Sequence, residues 1–487
     1  MEKVLSVSSI ARIDEETVSQ YGVPQSVLIE NAASDFIKSL CLSKDSLIQI
    51  ICGKGNNGAD GFAIGRRLSN SGFSNVACIQ VFDVLGAECQ RQKDMAVAFG
   101  VEVLGLEAFQ KGKGIVIDAL YGSGFHPPMD ERGMSAIDAI SGHPDVIAVD
   151  VPSGLSDQSP VNAPMAHCRF TVTFGALKPC LLGPFSSSSA SDGPLPSVSN
   201  PGFPKKLMDS ADDGIDLIDD SDCTLQEIDA SAYKNTRGHA AFFSGCERQC
   251  GASILCGLAA FSARAGLVSI LSKPGQQRFE GYPQLMSGLY CDDLSSFDAV
   301  GAGNGLDIAD PASLELVDHV LKADRPTVLD SGAIRILSKI GPIPQHSRPL
   351  VLTPHMGELS DLLGIPDLKA LSTAQYIAAL RKRAAELGAV IVAKSSVTWI
   401  ACPSGRIHIL WGKCSALGVA GSGDILCGII TAFLAQGMDA ESAAVNGVLA
   451  HRLAGRLASD KVKWFDSVGL ASYIGKAVDQ LSKKRTL

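Results

Sequence analysis

The sequence predicts an α/β protein in which short buried strands alternate with helices in two successive domains. Short continuous apolar runs, such as Leu47 to Cys52, recur along the chain and are typical of strands buried on both faces of a parallel sheet. Segments of helical periodicity and glycine-rich turns separate these runs. The length of 487 residues exceeds what one hydrophobic core usually organises, so two domains are expected.

Composition narrows the classes of function. Hydrophobic residues make up 46% of the chain and charged residues 19%, which indicates compact domains rather than disorder. A net charge of −9 without a Lys/Arg-rich run argues against nucleic-acid and anionic-membrane partners. No apolar run reaches the length of a membrane span, so a cytoplasmic protein is expected. A homo-oligomeric state is expected as well. The fourteen cysteines show no zinc spacing and are interpreted as small buried hydrophobes.

The first half begins with a helical repeat of apolar residues from Ser26 to Leu40, followed by the strand at 47–52. The next segment, GKGNNGADG, matches Gly-x-Gly-x-x-Gly, and Asp83 follows the next strand where a dinucleotide-binding fold places an acid. Ala59 occupies the position of the Walker lysine, so the segment is not a Walker loop.

Two further strands of this half end in carboxylates, Asp118 in GIVIDAL and Asp150 in VIAVDV, and a strand at 170–174 follows. Because the carboxyl ends of parallel strands face the ligand crevice, both carboxylates are expected to converge with the glycine loop. One such Asp is more often a cap or turn former, but three strand ends in succession favour a site. Asn57, Asp118 and Ser153 offer hard oxygen donors, which suit a hard cation.

Four motifs of this half, GKGNNGADG, DALYGSGF, VDVPSGLSD and FGALKP, together resemble the NAD(P)H-hydrate epimerase domain over most of residues 1–203. The resemblance implies a Rossmann-like three-layer fold, hydrated NADH or NADPH as the substrate, and a potassium ion at Asn57, Asp118 and Ser153. Acid–base catalysis is expected from Asp150 and Asp118. The resemblance also implies substrate contacts at Asn56, Asn57, Gly58, Ala59, Asp60, Gly122, Ser123, Gly124, Phe125, His126, Pro127, Pro128 and Asp150.

Residues 204–223 are predicted to link the domains, within a Pro- and Ser-rich stretch that includes the serine run at 187–191. From residue 224 to 487 the alternation of strands and helices returns. Strands are predicted at 240–243, 267–271, 327–330, 350–353, 390–394 and 398–401, with a further strand before the glycines at 301–305 and a helix over 251–265.

A glycine-rich loop within Ser415 to Gly437 runs directly into an apolar helix. Its glycines let the backbone approach a ligand closely, and the first amides of the helix lack intrahelical partners, so a phosphate can bind there. Asp424 stands at the helix start, where it can accept a proton from a hydroxyl that receives a phosphoryl group. The alternative is a plain N-cap, and the helix N-terminus is expected to lower the pKa of this carboxylate.

The second half resembles the NAD(P)H-hydrate dehydratase domain, which has the ribokinase-like α/β fold, in LTPHMGEL, AGSGDILCGI and shorter segments. The resemblance implies catalysis by Asp424 with ADP or ATP as the phosphoryl donor, and magnesium is expected with the nucleotide. It implies substrate contacts at Ala252, Gly303, His355 and Asp424, and nucleotide contacts at Lys394, Ser395, Ser396, Val397, Thr398 and Gly423. The chain departs from the family pattern at Gln249-Cys250, beside the substrate, and at Ser395-Ser396, beside the nucleotide.

Together the resemblances imply repair of nicotinamide cofactors hydrated on the ring, by epimerisation of the R and S forms and nucleotide-dependent dehydration of the S form. Three other classes stay open. A ribokinase-like kinase for a vitamin precursor, with a non-catalytic first domain, would release a stable phosphorylated product. An NAD oxidoreductase would need a redox site, which the sequence does not show. A purely structural scaffold is disfavoured by the retention of Asp118, Asp150 and Lys178.

Overall fold

The computed structural model describes residues 1–183, 194–243, 245–246, 249–273, 281–339, 347–412 and 414–483. The serine run at 187–191 lies outside these residues. The described residues form two compact units, a first within 3–215 and 369–377 and a second within 1–2, 216–368 and 378–487. The change of unit after residue 215 falls inside the span 204–223 predicted as a linker, which holds a helix and a strand rather than irregular chain. The domain limits 1–203 and 224–487 stay a prediction.

Helices and strands alternate along residues 1–218. The helices are α1 (Val7–Ser19), α2 (Gln25–Lys38), α3 (Asn56–Asn70), α4 (Ala87–Ala98), α5 (Glu131–Ile140) and α6 (Lys205–Ser210). The strands are β1 (Glu2–Lys3), β2 (Ile48–Cys52), β3 (Val76–Gln80), β4 (Glu102–Gly105), β5 (Ile115–Ala119), β6 (Val146–Val149), β7 (Phe170–Phe174), β8 (Ser197–Ser199) and β9 (Ile215–Ile218).

The first unit is built on a parallel sheet with the strand order β4-β3-β2-β5-β6-β7-β8. Successive residues of β2 alternate between two cores, because Ile50 packs with Phe62 and Phe36 of the helices on one face and Ile51 packs with Ile137 of α5 on the other. This gives the three-layer arrangement predicted from the sequence. The strand order reverses between β2 and β5, so the ligand crevice is expected outside their carboxyl ends.

The elements from residue 239 onward follow the same rhythm, and the first residues of the helix at 373–387, up to 377, belong to the first unit. The helices are α7 (Gly251–Ser262), α8 (Pro311–Lys322), α9 (Gly332–Leu337), α10 (Met356–Leu363), α11 (Thr373–Leu387), α12 (Ser422–Ala435), α13 (Ala440–Lys461) and α14 (Ser467–Lys483). The strands are β10 (His239–Phe243), β11 (Leu267–Ser272), β12 (Met286–Leu289), β13 (Ala299–Ala302), β14 (Thr327–Leu329), β15 (Leu350–Leu352), β16 (Val390–Ala393), β17 (Thr398–Ala401) and β18 (Ile407–Leu410).

The sheet of this unit runs β9-β18-β17-β16-β15-β14-β13-β10-β11-β12. Strands β10 to β16 pair in parallel, whereas β17 is antiparallel to both β16 and β18. The order reverses between β13 and β10, which again places the expected ligand crevice at the carboxyl ends of the strands. Helix α12 buries Ile425, Ile429 and Phe433 in the core, as its apolar sequence predicts.

The strand predictions agree with the observed elements to within one or two residues, because each rested on a short apolar run with a turn signal behind it. The helix predicted over 251–265 ends at Ser262. In the described part of the chain, no helix has the length and apolar character needed to cross a membrane. All fourteen cysteines, each within the described residues, are free thiols.

Candidate active sites

A cavity of about 570 Å³ opens at the carboxyl ends of β2, β5 and β6 in the first unit, where the strand order reverses. Most residues predicted to bind substrate in this half line it: Asn56, Asn57, Asp60, Gly122, Ser123, Gly124, Phe125, His126, Pro128 and Asp150. The apolar wall comes from Ile10 of α1, Leu28 and Ile29 of α2, Phe174 of β7 and Phe203. The pocket therefore combines a polar floor of strand-end residues with an apolar side.

Asp150 is held as a buried, ionised carboxylate on the floor of this pocket. Its backbone adopts φ +68°, a left-handed conformation that non-glycine residues rarely adopt. Lys178 Nζ, which is completely buried, donates to Asp150 Oδ1 at 2.7 Å, and the backbone N–H of Ser123 donates to Oδ2 at 2.8 Å. Burial favours the neutral acid, but Lys178 and Ser123 outweigh it and lower the pKa of Asp150. Asp150 is therefore a negative charge on the pocket floor and not a proton donor near neutral pH.

Asp60 and Asp14 line the same pocket, and their pKa values are shifted in the opposite direction to that of Asp150. Burial raises the pKa of Asp60 well above its usual value, and the negative charges of Asp150 and Asp14 add to this shift. Burial and the charge of Asp150 also raise the pKa of Asp14. In this pocket the surroundings of Asp150 favour its charged form, whereas those of Asp60 and Asp14 favour the neutral form. Carboxyl groups whose pKa values are pushed apart in this way are typical of catalytic sites.

Asn57, Asp118 and Ser153 fit the predicted cation site. The side chain of Asn57 is buried, and both its oxygen and its nitrogen lack a hydrogen-bond partner. Asp118, completely buried, accepts from Ser153 Oγ at 2.6 Å and from the Ser153 backbone N–H at 2.8 Å. Burial raises the pKa of Asp118 despite these hydrogen bonds. An uncompensated amide oxygen and a buried carboxylate are the donors that a hard cation would satisfy.

Gly122 brings the predicted cation ligand and the pocket carboxylate together. A Cβ built on Gly122 would lie 3.2 Å from both Asn57 Oδ1 and Asp150 Oδ2. A side chain at this position would crowd both groups unless they moved by a few tenths of an ångström, so close packing rather than a positive φ favours glycine here. The turn after β5 is consequently the structural link between the proposed ion site and the pocket.

Five predicted residues of this half lie away from the pocket lining. Gly58 packs against the Gly53 carbonyl and Ala59 is fully buried in the core, whereas Pro127, Asp118 and Ser153 are not among the lining residues. Asp83 is exposed, pairs with Arg132 and is also absent from the lining, so it does not act as the ribose-binding acid of a dinucleotide fold. Asp14 on α1 was missed, because its helix lies far from the glycine motifs in sequence.

In the second unit, Asp424 sits in a buried polar network at the strand ends. Asn304, which follows β13, donates from Nδ2 to Asp424 Oδ1 at 2.7 Å and to Asp330 Oδ2 at 2.9 Å. Lys394, which follows β16, donates to Asp330 Oδ1 at 2.7 Å. Asp330 follows β14, so the network joins three strand ends to the start of α12. Asn304 and Asp330 had no role in the sequence interpretation, although the strand-end rule points to both.

The structure corrects two expectations about Asp424. The N-cap of α12 is Gly421, with φ +86°, and Asp424 occupies the third helical position, so it is not a plain N-cap. Its pKa is not lowered by the helix terminus. Burial raises the pKa of Asp424 to about 6, and the Asp330 charge adds to the rise, although Asn304 and Lys394 oppose it. A carboxylate with this pKa is better matched to general base catalysis near neutral pH.

A second cavity, of about 620 Å³, lies beside this network in the second unit. Residues predicted to bind nucleotide or substrate line it: His355, Lys394, Ser395, Ser396, Thr398 and Gly423. A Cβ on Gly423 would meet Lys394 Nζ at 3.3 Å, so glycine keeps the backbone close to that charge. Although burial disfavours its charge, Asp330 raises the pKa of Lys394 and keeps it a cation at the pocket. The cavity therefore offers a helix N-terminus, a glycine loop and one lysine, which suit a phosphate chain.

The other predicted residues of this half take different positions. Val397 is buried and absent from the lining, and Ala252 lies in the first turn of α7 outside the cavity. Gly303 adopts φ +116°, and a Cβ there would lie 1.8 Å from the Asp330 carbonyl oxygen, so this residue shapes the turn that presents Asn304. His355 both lines the cavity and caps α10, because its Nδ1 accepts from the N–H groups of Gly357 and Glu358.

The chain is similar to known proteins over both halves. Residues 240–476 match the NAD(P)H-hydrate dehydratase family, and residues 25–180 match the family of the YjeF-related protein N-terminus. The bifunctional NAD(P)H-hydrate repair enzyme Nnr from Thermofilum pendens is 30% identical, over 98% of this chain and 97% of its own length.

Two solved structures match about half of the chain. A ribokinase-like superfamily protein from Enterococcus faecalis is 21% identical, covers 56% of this chain and 98% of its own, and has a TM-score of 0.50, which shows the fold alone. The ADP/ATP-dependent NAD(P)H-hydrate dehydratase from Bacillus subtilis, co-crystallised with ATP and Mg²⁺, is 28% identical, covers 53% of this chain and 95% of its own, and has a TM-score of 0.48.

Proposed function

The chain belongs to the family of bifunctional NAD(P)H-hydrate repair enzymes, and we propose that its two pockets act in turn on one molecule, the ring-hydrated nicotinamide cofactor. The first unit interconverts the R and S epimers, and the second dehydrates the S epimer to NADH or NADPH at the expense of ADP or ATP. The observation that carries this proposal is that each unit has its own cavity at strand ends of its sheet, with a carboxyl group of shifted pKa in the first cavity and another beside the second.

The first pocket has the groups that inversion of the hydroxylated ring carbon needs. In the proposed step the ring nitrogen expels the hydroxyl, which leaves as water after taking a proton from neutral Asp60. The ionised Asp150 stabilises the cationic ring that results. Water then adds to the opposite face and returns its proton to the Asp60 carboxylate, so the acid is restored and the ring carbon is inverted. Asp150 thus acts through its charge, which is narrower than the general acid–base role expected from the sequence.

Asn57, Asp118 and Ser153 would hold a potassium ion next to this pocket. A monovalent cation supplies fixed positive charge and an oxygen-coordination shell, and it is compatible with the unsatisfied amide of Asn57 and the buried carboxylate of Asp118. In this proposal the protein residues do the positioning. Asp118 holds Ser153, whose Oγ accepts from the Tyr121 N–H in the turn before Gly122, and the Ser123 N–H in the same turn orients Asp150.

In the second unit Asp424 is the proposed general base. It takes the proton of the ring hydroxyl as the hydroxyl oxygen attacks the terminal phosphoryl group of the nucleotide, and the shortened nucleotide leaves. The bond between the ring carbon and the ester oxygen then breaks and inorganic phosphate leaves, the neighbouring carbon gives a proton to water, and the ring double bond is restored. Asn304 orients Asp424, and the N–H groups at Gly421 to Gly423 with Lys394 stabilise the phosphoryl charge.

Magnesium is proposed to enter with the nucleotide. Mg²⁺ is usually held by one or two carboxylates together with substrate phosphates. Asp330 and Asp424 are the carboxylates of the network beside the second cavity, and both can offer oxygen ligands there.

The rival function is a small-molecule kinase with a silent first unit. It is disfavoured by the match to bifunctional relatives over nearly the full length and by the ionised Asp150 and neutral Asp60 in the first pocket. Incubation of the purified S epimer separates the two functions. With nucleotide, the repair enzyme restores NADH and releases inorganic phosphate, whereas without nucleotide it yields a mixture of epimers. A kinase would accumulate a stable phosphorylated product in the first reaction and change nothing in the second.

A further inference from the structure

A cluster of metal-binding side chains lies in the second unit, outside both candidate active sites. The thiol sulfur of Cys402, an imidazole nitrogen of His408 and a carboxylate oxygen of Glu441 all lie within 4.8 Å of one another. Cys402 follows β17, His408 lies in β18, and Glu441 is in the first turn of α13. None of these residues lines either cavity. The cluster joins the β17–β18 hairpin to the start of a long helix.

The imidazole of His408 is in an unusual electrostatic position. It is fully buried, with Nε2 2.8 Å from Glu441 Oε1 and Nδ1 3.7 Å from Asp216 Oδ2, and Nδ1 has no hydrogen-bond partner. A neutral imidazole carries one proton, so one of its nitrogens must present a lone pair toward a carboxylate oxygen. Either a second proton or a cation next to the ring relieves this contact. If Nε2 carries the proton and donates to Glu441, the Nδ1 lone pair is left facing Asp216, whose charge Arg406 partly offsets.

We propose that Cys402, His408 and Glu441 form a structural zinc site. Thiolate, imidazole and carboxylate are the ligand types of Zn²⁺, and the two anionic ligands balance its charge. Zn–S and Zn–N bonds of about 2.3 and 2.1 Å place two ligands of one ion at most about 4.4 Å apart, so atoms already within 4.8 Å need only small movements. Zinc bound at Nε2 leaves the proton on Nδ1, where it faces Asp216, and this is the carboxylate–histidine–metal arrangement that orients ligating histidines.

The rest of the site also suits a metal ion. The Glu441 side chain is 42% exposed, so a path for the ion and a water as fourth ligand are available, whereas Cys402 is 1% exposed and shielded. Binding replaces the thiol proton of Cys402, which is released to solvent. Residues of α13 further along, His451 and Arg452, line the second cavity. A metal at the start of α13 therefore braces the helix that forms one wall of that cavity.

The test uses the full chain, stripped with a chelator and then titrated with ZnCl₂, with bound zinc measured by elemental analysis after removal of excess ion. One zinc per chain is expected, together with a higher melting temperature. Co²⁺ in place of Zn²⁺ should give a thiolate-to-cobalt absorption band. Cys402→Ala and Glu441→Gln should both lose the stoichiometric zinc and the rise in melting temperature, and Asp216→Asn should weaken zinc binding by about 10- to 100-fold.

Cys291→Ala is the matched control, because this exposed thiol lies outside the cluster and its loss should leave zinc binding unchanged. Glu441→Gln keeps the test valid if Cys402→Ala fails to fold, since Glu441 is partly exposed. A stripped chain that takes up no zinc, with a doubly protonated His408 by NMR, would overturn the proposal. Stoichiometric zinc retained in both Cys402→Ala and Glu441→Gln would overturn it as well.

Discussion

Lys178 Nζ, completely buried, donates to Asp150 Oδ1 at 2.7 Å and to the Phe174 carbonyl oxygen at 2.8 Å. Burial disfavours the charge of Asp150, and this ammonium group, with the Ser123 N–H, lowers the pKa of the pocket carboxylate in spite of it. A third hydrogen bond, to Thr173 Oγ1 at 2.6 Å, leaves no proton of the ammonium group unsatisfied. The charge of Asp150 in the first pocket therefore depends on a buried lysine that does not line the pocket.

Lys178→Met tests this dependence. The substitution leaves Asp150 buried without its cation, so we expect a loss of unfolding free energy of about 3–5 kcal/mol at neutral pH, measured by chemical denaturation. Because Lys178 lowers the folded pKa of Asp150, the stabilisation is present above the unfolded pKa and is lost as the pH falls through the folded pKa. The deficit of the variant should therefore shrink in acid.

Lys205→Met is the control, since its pair with Asp209 is exposed and should change stability by less than about 1 kcal/mol. Equal stability of the Lys178→Met variant and the wild type at neutral pH would show that Lys178 does not hold the charge of Asp150.

Asp150→Ala should slow epimerisation by about 10² to 10³, the range for loss of one preorganised electrostatic contact, while dehydration of pure S epimer stays unchanged. Asp60→Asn should slow epimerisation too, because the amide cannot give up a proton to the leaving hydroxyl. In the wild type the rate should fall as the pH rises through the raised pKa of Asp60. The assay is chromatographic separation of the epimers over time.

Asp130→Asn is the matched comparison, since Asp130 lines the same cavity but has a lowered pKa and pairs with Lys54 at the surface. An Asp60→Asn variant that epimerises as fast as Asp130→Asn would remove Asp60 from the proposed mechanism.

Potassium should stabilise the first unit. Replacing K⁺ with a bulky organic cation is expected to lower both the melting temperature and the epimerisation rate, because the Asn57 amide and the buried Asp118 carboxylate lose their cation. Asn57→Leu removes one ligand, so its melting temperature should no longer respond to the choice of cation. An unchanged cation response in Asn57→Leu, or none in the wild type, means that these residues do not hold the ion.

Asp424→Asn should abolish nucleotide-dependent dehydration and leave epimerisation intact, because the proposed base is lost from only one of the two sites. In the wild type, the dehydration rate should decline as the pH falls below about 6, where Asp424 becomes protonated. Asn304→Ala removes a hydrogen bond that lowers this pKa, so the decline should begin at a higher pH. Dehydration by Asp424→Asn near the wild-type rate would contradict this role.

The sequence predicted most of what is local. Strand ends, glycine turns and the helix that contains Asp424 are each encoded within a few residues, and Asp150 and Lys394, both at such strand ends, line the two cavities. Partners that come from distant segments could not be predicted in this way. The hydrogen bond from Asn304 to Asp424 spans 120 positions, and only the fold brings these two residues together.

Electrostatics were the least predictable feature. The helix terminus suggested a low pKa for Asp424, but burial reverses the sign because desolvation of a carboxylate outweighs a helix dipole at this depth. Likewise, the scattered cysteines gave no sign of a metal site, since Cys402, His408 and Glu441 converge only through the β17–β18 hairpin and the start of α13.

The central claim is that both units act on one substrate, and pure R epimer of hydrated NADH with nucleotide tests it most directly. The wild type must epimerise this substrate before dehydrating it, so the dihydronicotinamide absorbance should return completely and rapidly. Asp150→Ala should show only the slow rate of spontaneous epimerisation, and an equal mixture of Asp150→Ala and Asp424→Asn should recover fast conversion. R epimer that persists with the wild type, or that is converted equally fast by Asp150→Ala alone, would contradict the account.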